Sequence, residues 1–279
     1  AVAAQLGGYL TQLNSYDEAF RNMDMNMLMT KAQRTAWKNA NKYASAEENL
    51  EYSETDSAKS AWARPYTTFE SVNLKNGPKV SNVAYGSYFG VDSDLIELKN
   101  GWDAQWGIYA GYNGSHQDYD GNSIWQNGGQ LGATAVFYKN NFFTGLTATT
   151  GASVADASTM YGREDITMLM AGVASKTGYN WELFDGKFIV QPSLLMSYSF
   201  VNAFNHHNAA GVDIKSDPLN AIQIAPGLKL IGNLPHGWQP YIGVQMMWNI
   251  MDKTKFQVIN VDLPQFSTKP YVFSVILNL

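Results

Sequence analysis

Alternation with a period of two residues dominates the chain from residue 61 onward. In 102–112, apolar or aromatic residues occupy every even position, whereas the odd positions carry Asp103, Gln105, Gly107, Tyr109 and Gly111. Because successive side chains of a β-strand point to opposite faces, this pattern predicts strands with one apolar face and one mostly small or polar face. Ten segments show it, strongly or weakly: 62–71, 82–92, 102–112, 129–139, 142–152, 168–183, 188–200, 222–230, 238–248 and 266–278.

Strand length and the placement of aromatic residues favour strands that cross a membrane. The segments average about ten residues, which a tilted strand needs to cross the hydrocarbon layer, whereas strands of soluble proteins average about five or six. Only 15% of the residues are charged, and no apolar stretch is long enough for a transmembrane helix. Aromatic residues end several segments on one face, as the girdles of an outer-membrane barrel do: Trp102 and Tyr112, Phe188 and Phe200, and Trp238 and Trp248.

The chain is therefore predicted to be all-β, with a transmembrane antiparallel β-barrel of which about ten strands are present; a soluble all-β domain is the alternative. Turn sequences such as Lys99-Asn100-Gly101 separate the strands. Pro192, Pro226 and Pro240 fall inside predicted strands, where proline is disfavoured because it cannot donate a ladder hydrogen bond.

A different pattern precedes the strands. Apolar residues at three- and four-residue spacing, from Leu6 to Met27, predict one helix over residues 5 to about 44. The polar and acidic stretch 45–60 is predicted to be a linker. We therefore divide the chain into a helical segment 1–44, a linker 45–60 and a barrel 61–279. A helix packed on the domain surface and a helix inside a wide polar barrel fit the pattern equally well.

The order of several motifs resembles the translocator domain of the type V autotransporters over roughly residues 5–272. A helix and a polar linker precede the strands, as in that family. The strand motifs that are similar to it are Trp62-Ala63-Arg64-Pro65-Tyr66, Tyr85-Gly86-Ser87-Tyr88-Phe89-Gly90-Val91-Asp92, Gly107-Ile108-Tyr109-Ala110-Gly111-Tyr112, Gln191-Pro192-Ser193-Leu194 and Trp238-Gln239-Pro240-Tyr241.

The resemblance implies an outer-membrane barrel of about twelve strands, with a helix through its pore, that secretes an N-terminal passenger. After Tyr271-Val272 the sequence no longer resembles the family, so we expect the C-terminal strands of the barrel to be missing. The helix would present Tyr16, Asp17, Glu18 and Arg21 within the pore. The expected pore-facing residues of the wall are Asp103, Gln105, Gly107, Tyr109, Gln191, Ser193, Gln223, Lys229, Gln239 and Gln245.

Residues that could carry chemistry are few. The four histidines are placed in loops or turns, and His116 with Asp118 is the one local pair of a kind that a hydrolase uses. There is no cysteine and no Gly-x-Ser-x-Gly, His-Glu-x-x-His or phosphate-loop motif. Acidic residues such as Asp17 and Glu18 could cleave the passenger from the helix, but ordinary helix polarity explains them better. No catalytic residue, cofactor or metal is predicted.

Four functions fit the sequence to different degrees. A secretion translocator is favoured, with outer-membrane lipid, the barrel-assembly machinery and its own N-terminal passenger as partners. A porin-like channel, an outer-membrane barrel enzyme and a soluble adhesin-like domain are the alternatives. The net charge of −5 and the lack of a basic cluster indicate no nucleic-acid partner.

Overall fold

The structure of the chain is a computed structural model. The structure describes residues 2–21, 23, 27, 29–36, 60–73, 79–119, 121–159, 162–232, 240–251, 256–258, 261–262 and 271–278. One long helix, α1, spans Val2–Arg21. The predicted linker 45–60 lies outside the described residues except for Ser60, with which the first strand begins.

Among the described residues, ten long strands follow α1, as the alternation predicted. They are β1 Ser60–Asn73, β2 Lys79–Asp92, β3 Asp103–Tyr119, β4 Asn122–Lys139, β5 Phe142–Thr159, β6 Gly162–Tyr179, β7 Phe188–Ala203, β8 Leu219–Gly232, β9 Tyr241–Met251 and β10 Tyr271–Asn278.

Each long strand pairs antiparallel with the next, so the sheet is a meander from β1 to β10. Ile96–Glu97 and Trp181–Leu183 extend it beside β3 and β7. A second small sheet joins His206–His207, Asp213–Ser216, Phe256–Val258 and Val261–Asp262. The connections 93–102, 140–141 and 180–187 lie at one end of the sheet, which we call the turn end, and 120–121, 160–161 and 204–218 lie at the other, which we call the loop end. Within the described part of the chain, β1 and β10 do not pair with each other.

The two faces of the sheet differ in the way the alternation predicts. On the outer face, exposed side chains of the central strands are apolar, as in Trp106, Ile108, Leu131 and Leu146. On the inner face, alternate residues are buried, and many of them are polar, as in Gln105 and Gln126. The inner face is covered because the sheet curls around α1, which contacts strands β2 to β7.

Two of the unexpected prolines lie where the strand ladder is interrupted. Pro192 follows the last pair between β6 and β7, which joins Gly178 to Ser193. Pro226 lies in a gap of the β8–β9 ladder between the pairs made by Ile224 and Gly227. A residue without an N–H group is tolerated at such places because it breaks no ladder hydrogen bond on that side.

The prediction of one helix reaching residue 44 is wrong. α1 ends at Arg21, and a second helical turn covers 31–36, after an irregular stretch at Met29 and Thr30; residues 37–44 lie outside the described residues. Thr30 starts the second turn with a capping box, since its hydroxyl accepts from Gln33 N at 3.4 Å and its own N–H donates to Gln33 Oε1 at 2.8 Å.

The strands are also longer than the sequence pattern indicated. β3 continues past Tyr112 to Tyr119, through the polar sequence Asn113-Gly114-Ser115-His116-Gln117. Tyr112 therefore does not end its strand, and His116 lies inside a strand, not in a loop. The apolar alternation ends before the strand ends. Backbone pairing with the neighbouring strands does not require apolar side chains, so it continues beyond the apolar band.

Candidate functional site

Helix α1 and the inner face of the sheet together form the candidate site. Hydrogen bonds tie the helix to strands on opposite sides of it: Asn14 Nδ2 donates to Thr68 Oγ1 on β1 at 3.3 Å, and Tyr9 Oη donates to Asn249 Oδ1 on β9 at 3.0 Å. At the loop end, Gln5 Nε2 donates to Asp217 O at 2.9 Å. The helix thus lies inside the curl of the sheet, which answers the question that the sequence pattern left open.

One side of α1 is sealed by apolar packing. Leu6 and Tyr9 belong to a buried cluster with Met168, Met170 and Val201 on β6 and β7. Further along the helix, Tyr16, Phe20, Met23 and Met27 pack with Val136, Tyr138 and Phe143 of β4 and β5. This packing runs through most of the described helical segment. The wall made by β4 to β7 therefore packs against the helix in the way a hydrophobic core packs against its surrounding elements.

A tyrosine of the helix enters a socket in the wall. The Tyr16 hydroxyl donates to Tyr198 O at 3.0 Å and lies 3.1 Å from Ser199 Oγ. Gly172 on β6 leaves the room for this ring, since a side-chain methyl there would overlap the Tyr16 hydroxyl. Gly145 on β5 makes similar room for Phe20. Glycines of the wall therefore leave recesses, and the aromatic side chains of the helix fit into these recesses.

One ion pair joins the helix to β1. Glu18, which is buried, lies 3.4 Å from Arg64 Nη1 through its Oε2. Asp17, the other acidic residue considered for passenger cleavage, is exposed. The two carboxylates therefore lie in different surroundings, and the Glu18 carboxylate faces a cation instead of a second acid.

Aromatic rings on the inner face lie over glycines of the neighbouring strand. Tyr66 and Tyr88 stack with ring centroids 5.4 Å apart, and Tyr88 meets Tyr109 edge-on at 6.0 Å. The sequence pattern placed Tyr109 on the inner face but most other aromatic residues on the outer face. It missed the row as a whole because the register between strands is not visible in one sequence. The aromatic–glycine pairs are Trp62 with Gly90, Tyr66 with Gly86, Tyr88 with Gly111 and Tyr109 with Gly132.

These glycines predict a stability difference within one strand. Gly132→Ala puts a methyl group into the Tyr109 ring, and such overpacking costs about 1–3 kcal/mol. Gly129→Ala on the same strand is the control, because the nearest heavy atom to its added carbon is Gly111 O at 3.6 Å. We expect urea unfolding of the chain in detergent micelles to show this loss for Gly132→Ala alone. Equal losses for both variants would contradict the role of the Tyr109–Gly132 pair.

At the turn end, Met27 and residues 29–36 are held by the rim of the sheet; we call these residues the latch. Asn180 Nδ2 donates to Met27 O at 2.9 Å and to Met29 O at 3.0 Å, and Gln191 Nε2 also donates to Met27 O at 2.9 Å. Arg34 donates to the backbone carbonyls of Met29 and Asn140. These donors satisfy carbonyls that a continuous helix would have bonded internally, which is why the helix breaks here.

The guanidinium group of Arg34 in the latch is partly desolvated. Burial lowers the pKa of Arg34 from its ordinary value, while Tyr138 and Asp103 act in the opposite direction. The guanidinium carbon lies 5.1 Å from the centroid of the Tyr138 ring. Since guanidinium groups stay protonated in proteins, the Arg34 contacts do not depend on pH in the physiological range.

The predicted pore residues lie as follows. Gln105, Gly107, Tyr109, Gln191 and Gln223 are buried on the inner face, and Asp103, Ser193, Lys229 and Gln245 are half-buried there; Gln239 lies outside the described residues. On the helix, Tyr16 and Glu18 are buried, and Arg21 is the last residue of α1.

Each of the three histidines that the structure describes approaches one carboxylate, and His236 lies outside the described residues. His116 Nε2 lies 3.2 Å from Asp118 Oδ2, His206 Nε2 lies 3.3 Å from Glu164 Oε2, and His207 Nε2 lies 2.7 Å from Asp213 Oδ1. In the part of the chain that the structure describes, no three His, Asp or Glu residues gather as a metal site would require. No helix among the same residues has the length and hydropathy of a membrane-spanning helix.

Comparisons with known proteins agree on one family. A family model described as autotransporter beta-domain matches residues 61–272, which is more than half of the chain. The chain is similar in structure to the β domain of the Bordetella autotransporter BrkA, at 16% identity and a TM-score of 0.58, covering 77% of this chain and 96% of that one. It is also similar to the transport unit of the autotransporter AIDA-I from Escherichia coli, at 15% identity and a TM-score of 0.61, covering 81% of each chain. No curated protein sequence matches it.

Proposed function

Because the chain belongs to the autotransporter β-domain family, whose outer-membrane barrels secrete an N-terminal passenger, we propose that α1 and the latch close its translocation pore. The observation that carries this proposal is the position of α1 inside the curl of the sheet, bonded to β1 on one side and to β9 on the other. A helix held in this way fills the space through which a passenger would pass.

The orientation of the pore is inferred from the longest connection. Outer-membrane barrels have short periplasmic turns and longer external loops. Both ends of the sheet have two-residue connections, but 204–218, the longest connection that the structure describes throughout, lies at the loop end beside the N-terminal part of α1. We therefore place the N-terminus of α1 at the cell exterior, where a secreted passenger would remain attached, and the latch at the periplasmic mouth.

The pore-lining role is proposed for the inner-face residues Asp103, Gln105, Gly107, Tyr109, Gln191, Ser193, Gln223, Lys229 and Gln245. Their support is that all of them share the face on which α1 lies. Residues 1–44 would be the plug with its anchor, and 45–60 the linker that returns the chain to β1. The apolar side chains exposed on the outer face favour outer-membrane lipid as the surrounding medium. We propose the barrel-assembly machinery as the partner that inserts the strands.

We also propose that the chain is not an enzyme. His116 is on the outer face of β3, where its ring stacks on Trp125 with centroids 3.9 Å apart. Its neighbour Asp118 is exposed. A pair in this position supports strand packing at the loop end. We therefore expect His116→Ala to cause no change in the hydrolysis of a chromogenic ester, measured with the purified chain.

Conductance tests the plug directly. In planar bilayers we expect the chain to be closed for most of the recording, and deletion of residues 1–44 to give a stable open pore, because the deletion removes both α1 and the latch. The deletion variant must retain heat-modifiable mobility in gels, which shows that the barrel is folded. If the folded deletion variant conducts no better than the parent chain, α1 does not close the pore.

A further inference from the structure

Amide and hydroxyl side chains form a patch on the inner face of β2, β3 and β4, towards the loop end. In the sheet register, Asn82 is opposite Gln117, and Ser115 is opposite Gln126. Every member is at least nine-tenths buried, and none is charged. We call this surface the amide patch; it consists of Asn82, Asn113, Ser115, Gln117, Gln126 and Gln130.

The helix covers the amide patch but gives it few partners. Gly7 of α1 faces it so closely that a methyl group there would overlap Gln117 Nε2 and lie 2.6 Å from Gln126 Oε1. Glycine has no side chain to bond, and its backbone groups are used inside the helix. Among the described residues, the two polar side-chain atoms of Gln117, Gln126 Oε1 and Ser115 Oγ have no hydrogen-bond partner.

The wall on the other side of α1 has the opposite character. Gly8, the next residue of the helix, faces Val201 and Met170, with Val201 Cγ1 2.9 Å from the position of an added carbon. Buried polar atoms are normally paired, because leaving them unpaired is costly. The apolar wall of β6 and β7 therefore suits the helix, whereas the chemistry of the amide patch suits an occupant that offers free donors and acceptors.

An extended polypeptide is such an occupant. Its backbone N–H and C=O groups are not paired with one another, unlike those of a helix. A carboxamide side chain offers both donors and an acceptor, and so it can bond a backbone of any sequence. A surface without charge neither attracts nor repels particular passenger residues, which is what a secretion pore needs when the sequence passing through it changes continuously.

We propose that the amide patch binds the backbone of the extended passenger chain in transit, and that α1 takes its place when transit ends. This proposal rests on the proposed function. The N-terminal part of α1 lies at the same end of the pore as the patch, since Gln5 bonds Asp217 in the 204–218 connection. The segment that precedes α1 in the sequence must therefore pass close to the patch as the helix reaches its seat.

Disulfide capture of a stalled passenger tests the proposal. The chain has no cysteine, so one introduced cysteine reports one position. The full chain would carry an N-terminal extension of uncharged residues, preceded by a folded domain that stalls transit. The extension contains one cysteine, and a series of variants moves this cysteine to successive positions. Ser115→Cys samples the patch, and Ala221→Cys, on the inner face of β8 and 1% exposed, samples another wall. Diamide added to cells supplies the oxidant.

We expect capture by Ser115→Cys to exceed capture by Ala221→Cys at least tenfold. Adding Gln117→Leu and Gln126→Leu should reduce the Ser115→Cys signal at least fivefold, since leucine keeps the volume and removes the hydrogen bonds. Asn127→Leu, the same change on the outer face of β4, should leave capture within twofold.

The outcomes separate the two proposals. If added protease reaches the extension at the cell surface, the translocator proposal stands. If capture is then equal at both walls, or the leucine changes have no effect on capture, the amide-patch proposal is wrong. An extension that never reaches the surface overturns both. Ser115→Cys changes one atom, so the comparison with Ala221→Cys decides the question even if the leucine variants fail to assemble.

Discussion

Gly172→Val should open the pore. The valine side chain would overlap the Tyr16 hydroxyl in its socket on β6, so the helix can no longer seat against Tyr198 and Ser199. Overpacking of this kind costs about 1–3 kcal/mol, which corresponds to roughly a five- to 150-fold change in the open fraction. The measurement is single-channel recording of the full chain in planar bilayers.

A control and a double variant show whether the effect comes from the socket. Gly227→Ala, on the inner face of β8, adds a methyl group whose nearest neighbour is Ser193 Oγ at 3.3 Å, and should leave the open fraction within about twofold. In a Tyr16→Ala background, Gly172→Val should raise the open fraction by a smaller factor than in the parent chain, because the Tyr16 hydroxyl has gone and only the overlap with Tyr198 O on the neighbouring strand remains. An open fraction that rises equally in both backgrounds would place the effect outside the socket.

The latch should be released by Asn180→Leu combined with Gln191→Leu. Together these changes remove every side-chain donor to Met27 O and one of the two donors to Met29 O that the described residues provide. A buried carbonyl left unpaired costs about 1–3 kcal/mol. We therefore expect the latch to leave the rim, and trypsin to cleave after Lys31 and Arg34 at a rate that is at least tenfold higher.

Asn220→Leu is the matched control for the latch. Asn220 is also an asparagine of the sheet with a side-chain hydrogen bond, but its Oδ1 accepts from the Tyr198 hydroxyl on the outer face at 2.6 Å. Cleavage of this variant should match that of the parent chain. Unchanged cleavage of the Asn180→Leu and Gln191→Leu variant would mean that these donors do not hold the latch. Hydrogen exchange of the Arg34 amide, which bonds Thr30 O at 3.0 Å, gives a second measurement.

Much of the sheet could be predicted from the sequence, because its signal is local. Trp106, Ile108, Leu131 and Leu146 are exposed on the outer face, as an alternation with a period of two requires. The number of long strands was also correct, since turn residues punctuate the alternation. The strand ends were not, because polar residues such as Ser115 and Gln117 continue the pairing after the apolar pattern has stopped.

The helical segment shows where local pattern fails. Apolar spacing from Leu6 to Met27 predicted a helix, and α1 forms, but the same pattern gave no sign that the helix ends at Arg21. Beyond its end the chain is held by Asn180 and Gln191, which bond Met27 O from more than 150 residues away in the sequence. Competition from such distant donors is a tertiary effect that local propensity does not contain.

The sequence by itself determined that this chain forms a meander of long strands with one apolar face, because the period of a strand and the spacing of turn residues are properties of neighbouring residues. Only the tertiary structure decided where the helix lies and what holds it. Tyr16 and Gly172 are far apart in sequence and meet only when the sheet curls, and the amide patch exists only because Asn82, Ser115 and Gln126 fall into register across three strands. Register and curvature are set by long-range pairing, so the residues that seat the helix become visible only in the folded chain.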